Sequence, residues 1–435
     1  MKTVSSRRVA RTGWRAGCSL FLVLFMSTAL FGQRSNRITG SAEIVSGVDD
    51  NPFLGRSGFS TLGPQEITKA FRFYPEVRFL SEHKTSNFQF DYALGLEYYE
   101  SDNPLLSTSH RATAQYETKL NQRLLLRMRD TFSRSPDFMG FMAFRGVSFT
   151  PQGILYDYAP AALRRNGFHN NAAFTLEVDT SQHSSLAITL RHSRRSFDDL
   201  PNFRTYTTQY ESLNGSTEFR RKVSERTSWL AEYSVNHYQF KQYEDARNHD
   251  LMVGLEHELR PSLRISVKGG PSYTEALRAP ANSTVIVIGP DGVERNVVLR
   301  PYTGYNFEFS ISRSVASGNV RLFARRDNAL AVGIASVSRS LTAGVDVSRD
   351  ITRRFSTRFT VVGYDYMGEL DNPTRHRGLS SALRLTFGLG RYSALAFGAT
   401  YQIQDSNTVF YDMERRSAFV ALRFFLPGSS REIIP

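Results

Sequence analysis

The chain has 435 residues, a formal charge of +13 at pH 7, one cysteine and two tryptophans against 32 phenylalanines, 20 tyrosines and 30 glycines. A single cysteine excludes a disulfide framework and a cysteine-based zinc site. The aromatic bias favours strands, and a single chain of this length suits a β-barrel as well as it suits two or three smaller domains.

The first element is a leader. Lys2, Arg7, Arg8, Arg11 and Arg15 precede the apolar run Cys18 to Phe31, and small residues follow near Ala29 and Gly32. This has the charge, length and cleavage chemistry of a secretory signal peptide, assigned to residues 1–32. It is short for a transmembrane helix. Its removal lowers the charge from +13 to +8. No run of 18 or more apolar residues follows it, so contact with lipid would have to come through strands.

Alternate residues carry that signal. Phe88, Phe90, Tyr92, Leu94, Leu96 and Tyr98 oppose Gln89, Asp91, Gly95 and Glu97. Leu186, Ile188 and Leu190 oppose Ser185, Ala187, Thr189 and Arg191, and Leu263, Ile265 and Val267 oppose Arg264, Ser266 and Lys268. Tyr305, Phe307, Phe309 and Ile311 oppose Asn306, Glu308, Ser310 and Ser312. Successive strand side chains point to opposite faces, so each segment is a two-faced ribbon. About 18 such segments fit, with 16 as the alternative count. They begin near Ile38, Ala70, Asn87, His110, Arg123, Asn170, Ser184, Thr207, Ser228, His249, Ser262, Thr303, Asn319, Ser340, Arg354, Gly378, Tyr392 and Arg416.

The links alternate in length. EHKTS, LNQ, DTSQH, VSERT, RP, SVASG, SRDIT and GLGR are short, and most of the intervening links are longer. This parity predicts an all-β, transmembrane, antiparallel up-and-down barrel with short periplasmic turns and long outer loops, forming one domain over 33–435. Residues 135–166 and 275–300 are its longest outer loops. The first is too apolar for a freely solvated loop; the second reads as a β-hairpin around GPDG, with extension of the flanking strands as the plainer alternative. Asp50-Asn51-Pro52, Asp102-Asn103-Pro104 and Asp371-Asn372-Pro373 all fall in links of the long class, as turn chemistry.

The chain's last ribbon is SAFVALRFFLP. Ala418, Val420, Leu422, Phe424 and Leu426 form its lipid row, with Phe419, Ala421, Arg423 and Phe425 inward. Closure would join Met413–Leu426 to Arg37–Val48, because an open edge in hydrocarbon is untenable. The leader, the VDDNPFL stretch, the FRFYPEVRF second strand and this aromatic last strand together resemble the β-barrel porin-2 group and the outer-membrane barrels associated with exopolysaccharide systems. The resemblance implies an outer-membrane, porin-like role in a Gram-negative-type bacterium, and carries over no site residue. The aromatic ending also looks like a signal for the barrel-assembly machinery.

Parity turns a set of charges inward: Arg72, Arg78, Arg123, Arg127, Arg129, Arg191, Arg264, Lys268, Arg321, Arg358, Arg384 and Arg423, interleaved with Glu97, Glu177, Glu256 and Glu308. Charges on the lipid side would cost roughly 2–4 kcal/mol each at the bilayer midplane. They form either a ladder of ion pairs that stiffens the wall or an anion-attracting lining, for which Arg123, Arg127 and Arg129 make the densest cluster. Catalytic patterns are incomplete: HELRP at His257 lacks a second histidine, GLSSA at Gly378 lacks a closing glycine, and the spacing of Asp198, Asp199 and His376 requires no convergence. The expectation is a non-enzymatic channel without a cofactor or metal, passing small solutes or exported polysaccharide through an arginine-rich lumen. The alternatives are a loop-occluded structural or partner-docking barrel of an envelope polysaccharide system and, more distantly, an outer-membrane hydrolase. Expected partners are outer-membrane lipid, the assembly machinery, and polysaccharide or periplasmic export proteins, with no nucleic acid.

Overall fold

The computed structural model describes residues 35–50, 67–100, 105–135, 167–197, 210–240, 245–276, 286–288, 294–296, 301–330, 337–368, 375–406 and 413–426. The leader, the three Asp-Asn-Pro repeats beyond Asp50 and the interior of the 135–166 loop lie outside them.

Eleven strands come first: β1 (Ser35–Asp49), β2 (Thr68–Glu82), β3 (Ser86–Glu100), β4 (Leu105–Lys119), β5 (Leu124–Ser135), β6 (Gly167–Ser181), β7 (Ser184–Phe197), β8 (Tyr210–Ser224), β9 (Thr227–Phe240), β10 (Ala246–Arg260) and β11 (Leu263–Ala276). Two short strands follow, β12 (Ile286–Ile288) and β13 (Glu294–Asn296). The last seven are β14 (Tyr302–Val315), β15 (Gly318–Leu330), β16 (Val337–Thr352), β17 (Phe355–Gly368), β18 (Arg375–Gly388), β19 (Ser393–Ser406) and β20 (Met413–Phe425).

All but β12 and β13 form one 18-stranded antiparallel sheet, and it closes on itself. Strand β20 pairs with β1 from Ser41↔Phe425 to Asp49↔Ser417, joining the two segments expected to close the barrel. Closure leaves no edge to solvate, which is what allows a sheet to stand in lipid. The count is 18, and the expected hairpin within 275–300 is present as the separate pair β12–β13, with Ile286 opposite Asn296.

Two-residue alternation sorts every strand. Ile44, Phe71, Leu96, Leu190, Val253, Tyr305 and Val420 face outward and are exposed, whereas Val45, Arg72, Glu97, Asn248 and Phe419 face inward and are buried. Aromatics gather on the outside near the short turns, where Phe355 stacks on Phe387 at 4.4 Å and Phe219 meets Trp229 at 5.5 Å. Outward charges lie mostly toward the strand ends, as in the pairs Lys69–Glu100, Arg375–Asp365 and Arg416–Glu414 at the end with the long links; Asp130 of β5 is an exception at mid-height, where it accepts from Asn170 Nδ2 at 2.7 Å. The hydrocarbon-facing band between these ends is therefore almost uncharged, as a transmembrane barrel requires.

Eight short turns join the strands at one end, from 83–85 to 389–392, and all the long links join them at the other. The ladder is interrupted beside two prolines. Pairing of β2 with β3 skips Tyr74 and Pro75, and pairing of β10 with β11 skips Leu251, Met252, Gly270 and Pro271. Proline cannot donate to the ladder, and the missing bond is tolerated because the strand continues on either side.

Candidate functional site: the charged lumen

Register alone puts almost all the predicted charges on the inner row. Arg72, Arg78, Glu97, Arg127, Arg129, Glu177, Arg191, Glu256, Arg264, Lys268, Glu308, Arg321, Arg358, Arg384 and Arg423 all share the parity of buried inner neighbours. Arg123 is placed differently. It lies in the turn before β5, where its backbone N–H donates to Asn121 Oδ1 at 2.8 Å.

Where β20 meets β1, two chains of charge cross the closure. In the first, Arg384 of β18 donates to Glu43 of β1 at 3.1 Å, spanning two intervening strands, and Arg423 sits between Glu43 and Glu76 at 4.0 and 3.4 Å. In the second, nearer the long loops, Arg415 holds Asp49 at 2.6 Å and Arg72 lies 3.7 Å from the same carboxylate. Arg72 then donates to the Tyr99 hydroxyl at 3.1 Å, and Tyr74 donates to Glu97 at 3.0 Å. Between the chains lies a small apolar cluster of Val45, Tyr74, Ala93, Ala396, Phe419 and Ala421. The Phe419 ring lies against Gly398, where a Cβ would collide with it.

The wall opposite is wetter. Arg127 bridges Glu117 at 3.0 Å and Glu177 at 2.7 Å while about half exposed. Arg129 and Arg191 project beside it and have no carboxylate within ion-pair distance among the described residues. Arg191 lies in the field of Arg325 and Glu232 from β15 and β9, and of Arg129 from β5. Further round, Lys268 sits between Glu232 at 3.0 Å and Glu308 at 3.3 Å, and Arg220 between Glu256 and Glu218 at 3.0 and 3.2 Å. Arg358 meets Asp346 at 3.4 Å, Arg264 meets Glu258 at 2.6 Å, and Arg78 pairs with Asp91.

Most cations are thus neutralised by one or two carboxylates, and a net positive face survives on β5–β7. The acids and cations that complete the pairs, among them Glu43, Asp49, Glu218, Arg220, Asp327 and Arg415, are absent from the sequence-derived set. Counting by twos from Phe419 would have reached Arg415; Arg220 needed the register between β7 and β8.

The outer half of the lumen has a different character. Inward residues there are almost fully shielded around the ring, with Asp49, Ala70, Tyr99, Ser109, Asn248 and Val362 each at most 1% exposed. On β9–β14 this level is built from amides and hydroxyls instead of paired charges. No cluster of histidine, cysteine, aspartate and glutamate suited to a metal occurs among the described residues. His257 faces outward and shares a hydrogen bond with Thr227 at 2.9 Å.

No family model matches the chain, and no curated protein does. Solved structures align over about nine-tenths of it at low identity. Pseudomonas aeruginosa OccK9 (OpdG) is 10% identical with a TM-score of 0.45, covering 90% of this chain and 99% of its own. Acinetobacter baumannii OccAB4 is 11% identical with a TM-score of 0.43, covering 91% and 99%. The siderophore receptor PirA from Pseudomonas aeruginosa is 10% identical with a TM-score of 0.40, covering 91% and 81%. These likenesses are of outline, and the closed 18-stranded barrel rests on the chain's own ladder.

Proposed function

We propose that the chain is an outer-membrane channel for small polar solutes, with a lumen that favours anions. The observation that carries this reading is the contrast between the two faces of one wall: an apolar, exposed exterior and an interior of ionised, partly solvated groups. A wall so divided separates hydrocarbon from water. The excess positive charge at Arg129 and Arg191 supplies the preference for anions. Passage of exported polysaccharide belongs to the same reading as its finer form, and recognition of the aromatic β20 by the assembly machinery accompanies it.

Incorporation of the refolded protein into a planar bilayer tests the channel. Steady conductance steps with a reversal potential on the anion side support it; a folded barrel that never conducts defeats it. The burial of the outer-half ring favours a second reading, a barrel whose lumen is closed at that level, and silence in the same experiment is its signature.

A further inference from the structure

The wall forks at one place. Strands β14 and β15 pair from the short turn up to Phe307↔Arg326, and there the ladder stops. Above it β14 continues to Tyr302 on β11 alone, and β15 continues to Leu330 on β16 alone. Nine paired positions, at about 3.3 Å each and tilted, are enough to cross the hydrocarbon band. The fork therefore opens at headgroup level, where unpaired backbone can meet water. On the outside Arg326 lies 3.7 Å over the Tyr305 ring.

Strict alternation would turn Asn328 outward with Arg326. Instead its amide reaches the lumen. Asn328 Nδ2 lies 3.1 Å from Asn248 Oδ1 on β10, 3.1 Å from Ser272 Oγ and 3.4 Å from Thr274 Oγ1 on β11. Gly304, opposite Ser272 on β14, leaves no side chain in the way.

The groups it reaches form a compact surface of amides and hydroxyls around Asp250, with the Asp327–Arg325 pair in its field. Asp250 accepts from Asn248 Nδ2 and Asn306 Nδ2, each at 2.7 Å, and from Ser234 Oγ at 3.4 Å. Thr274 donates to Asn248 Oδ1 at 2.9 Å. Asn306 is 4% exposed, yet its Oδ1 has no hydrogen-bond partner among the described residues. A buried acceptor left unmet costs about 1–3 kcal/mol, so the cluster is one donor short.

We infer that Asn328 occupies, as an internal ligand, a binding site for a polyhydroxylated solute of the sugar class, formed by Asn248, Asp250, Ser272, Thr274 and Asn306. Fixed amides, hydroxyls and a single carboxylate recognise vicinal hydroxyls, which donate and accept from adjacent positions. Two neighbouring hydroxyls in place of the Asn328 amide would donate one to Asn248 Oδ1 and the other to Asn306 Oδ1, which lacks a donor among the described residues. A phosphate or carboxylate ligand would instead face Asp250 and Asp327, with the nearby Arg325 already held by Asp327 at 2.6 Å. The inference deepens the channel reading by naming a solute class and rests on it for its purpose, while binding can be read without conductance.

The test is calorimetric titration of the folded full-length barrel with maltotriose, in a detergent whose headgroup is not a sugar. Wild type and Asn328→Ala are compared, with poly(ethylene glycol) of similar mass as an ether-only control. Removing the internal competitor is expected to tighten maltotriose binding about tenfold. Adding Asn248→Leu to Asn328→Ala should abolish it, and Ser272→Ala should weaken it about threefold if the leucine variant fails to fold. The control should give no heat. Absence of binding in Asn328→Ala, equal affinity in wild type and Asn328→Ala, or an Asn248 or Ser272 variant that binds unchanged overturns the proposal. A barrel that binds maltotriose but never conducts defeats the channel reading and leaves the site standing.

Discussion

Arg415 and Asp49, 366 positions apart in sequence, meet with a 2.6 Å contact in which both side chains are almost completely buried. Arg415 also donates through Nε at 3.1 Å to each carboxylate oxygen. Replacing Arg415 with alanine takes from Asp49 its nearest cation, and removal of one partner of a buried pair costs about 3–5 kcal/mol. Denaturant unfolding from micelles should show this loss. Asp49→Leu with Arg415→Met should recover most of it, and Lys69→Ala, at an exposed pair, should change stability by less than about 1 kcal/mol.

Charge on the inner wall should matter for ions only where it is not already neutralised. Arg127 is shared by two glutamates, whereas Arg129 and Arg191 have no carboxylate within ion-pair distance among the described residues. Arg129→Ser with Arg191→Ser should move the reversal potential in a salt gradient toward cation preference. Arg127→Ser with Glu117→Gln, which removes one charge of each sign from a neutralised pair, should move it less. Equal shifts would place the selective charge elsewhere.

The two faces of a single strand make a direct comparison. Leu190 faces outward at mid-strand on β7, and Ala187 inward three positions away. Leu190→Lys should cost about 2–4 kcal/mol in a bilayer, while Ala187→Lys should be nearly neutral because it meets the lumen beside Glu177. Refolding yield into vesicles distinguishes them.

A Cβ at Gly398 would overlap the Phe419 ring. Gly398→Val should therefore destabilise by about 1–3 kcal/mol through overpacking. Phe419→Ala in the same chain should relieve the clash, so that the double variant is more stable than the sum of the single losses. Additive losses would show that the ring moves freely.

The barrel was legible because lipid imposes a rule on each outward residue. Leu186, Ile188 and Leu190 can be read as a face without knowing any partner. The inner row obeys a looser rule, since Arg, Glu, Ser, Ala and Phe419 all satisfy a lumen. Candidate charges such as Arg384 and Lys268 could be found by parity, but their partners depend on register across the seam and between β9 and β14. Arg123 shows the limit at a turn, where alternation ends. Asn328 shows it at the fork, where parity predicts the wrong side because the ladder that enforces parity has stopped.

The joint between β1 and β20 unites the strand made first with the strand made last. Every partial product of synthesis therefore carries two bare rims of backbone donors and acceptors, each able to template pairing with a neighbouring molecule. Completion is a precondition for safety: a molecule lacking β20 is an open barrel and also a seed for aggregation.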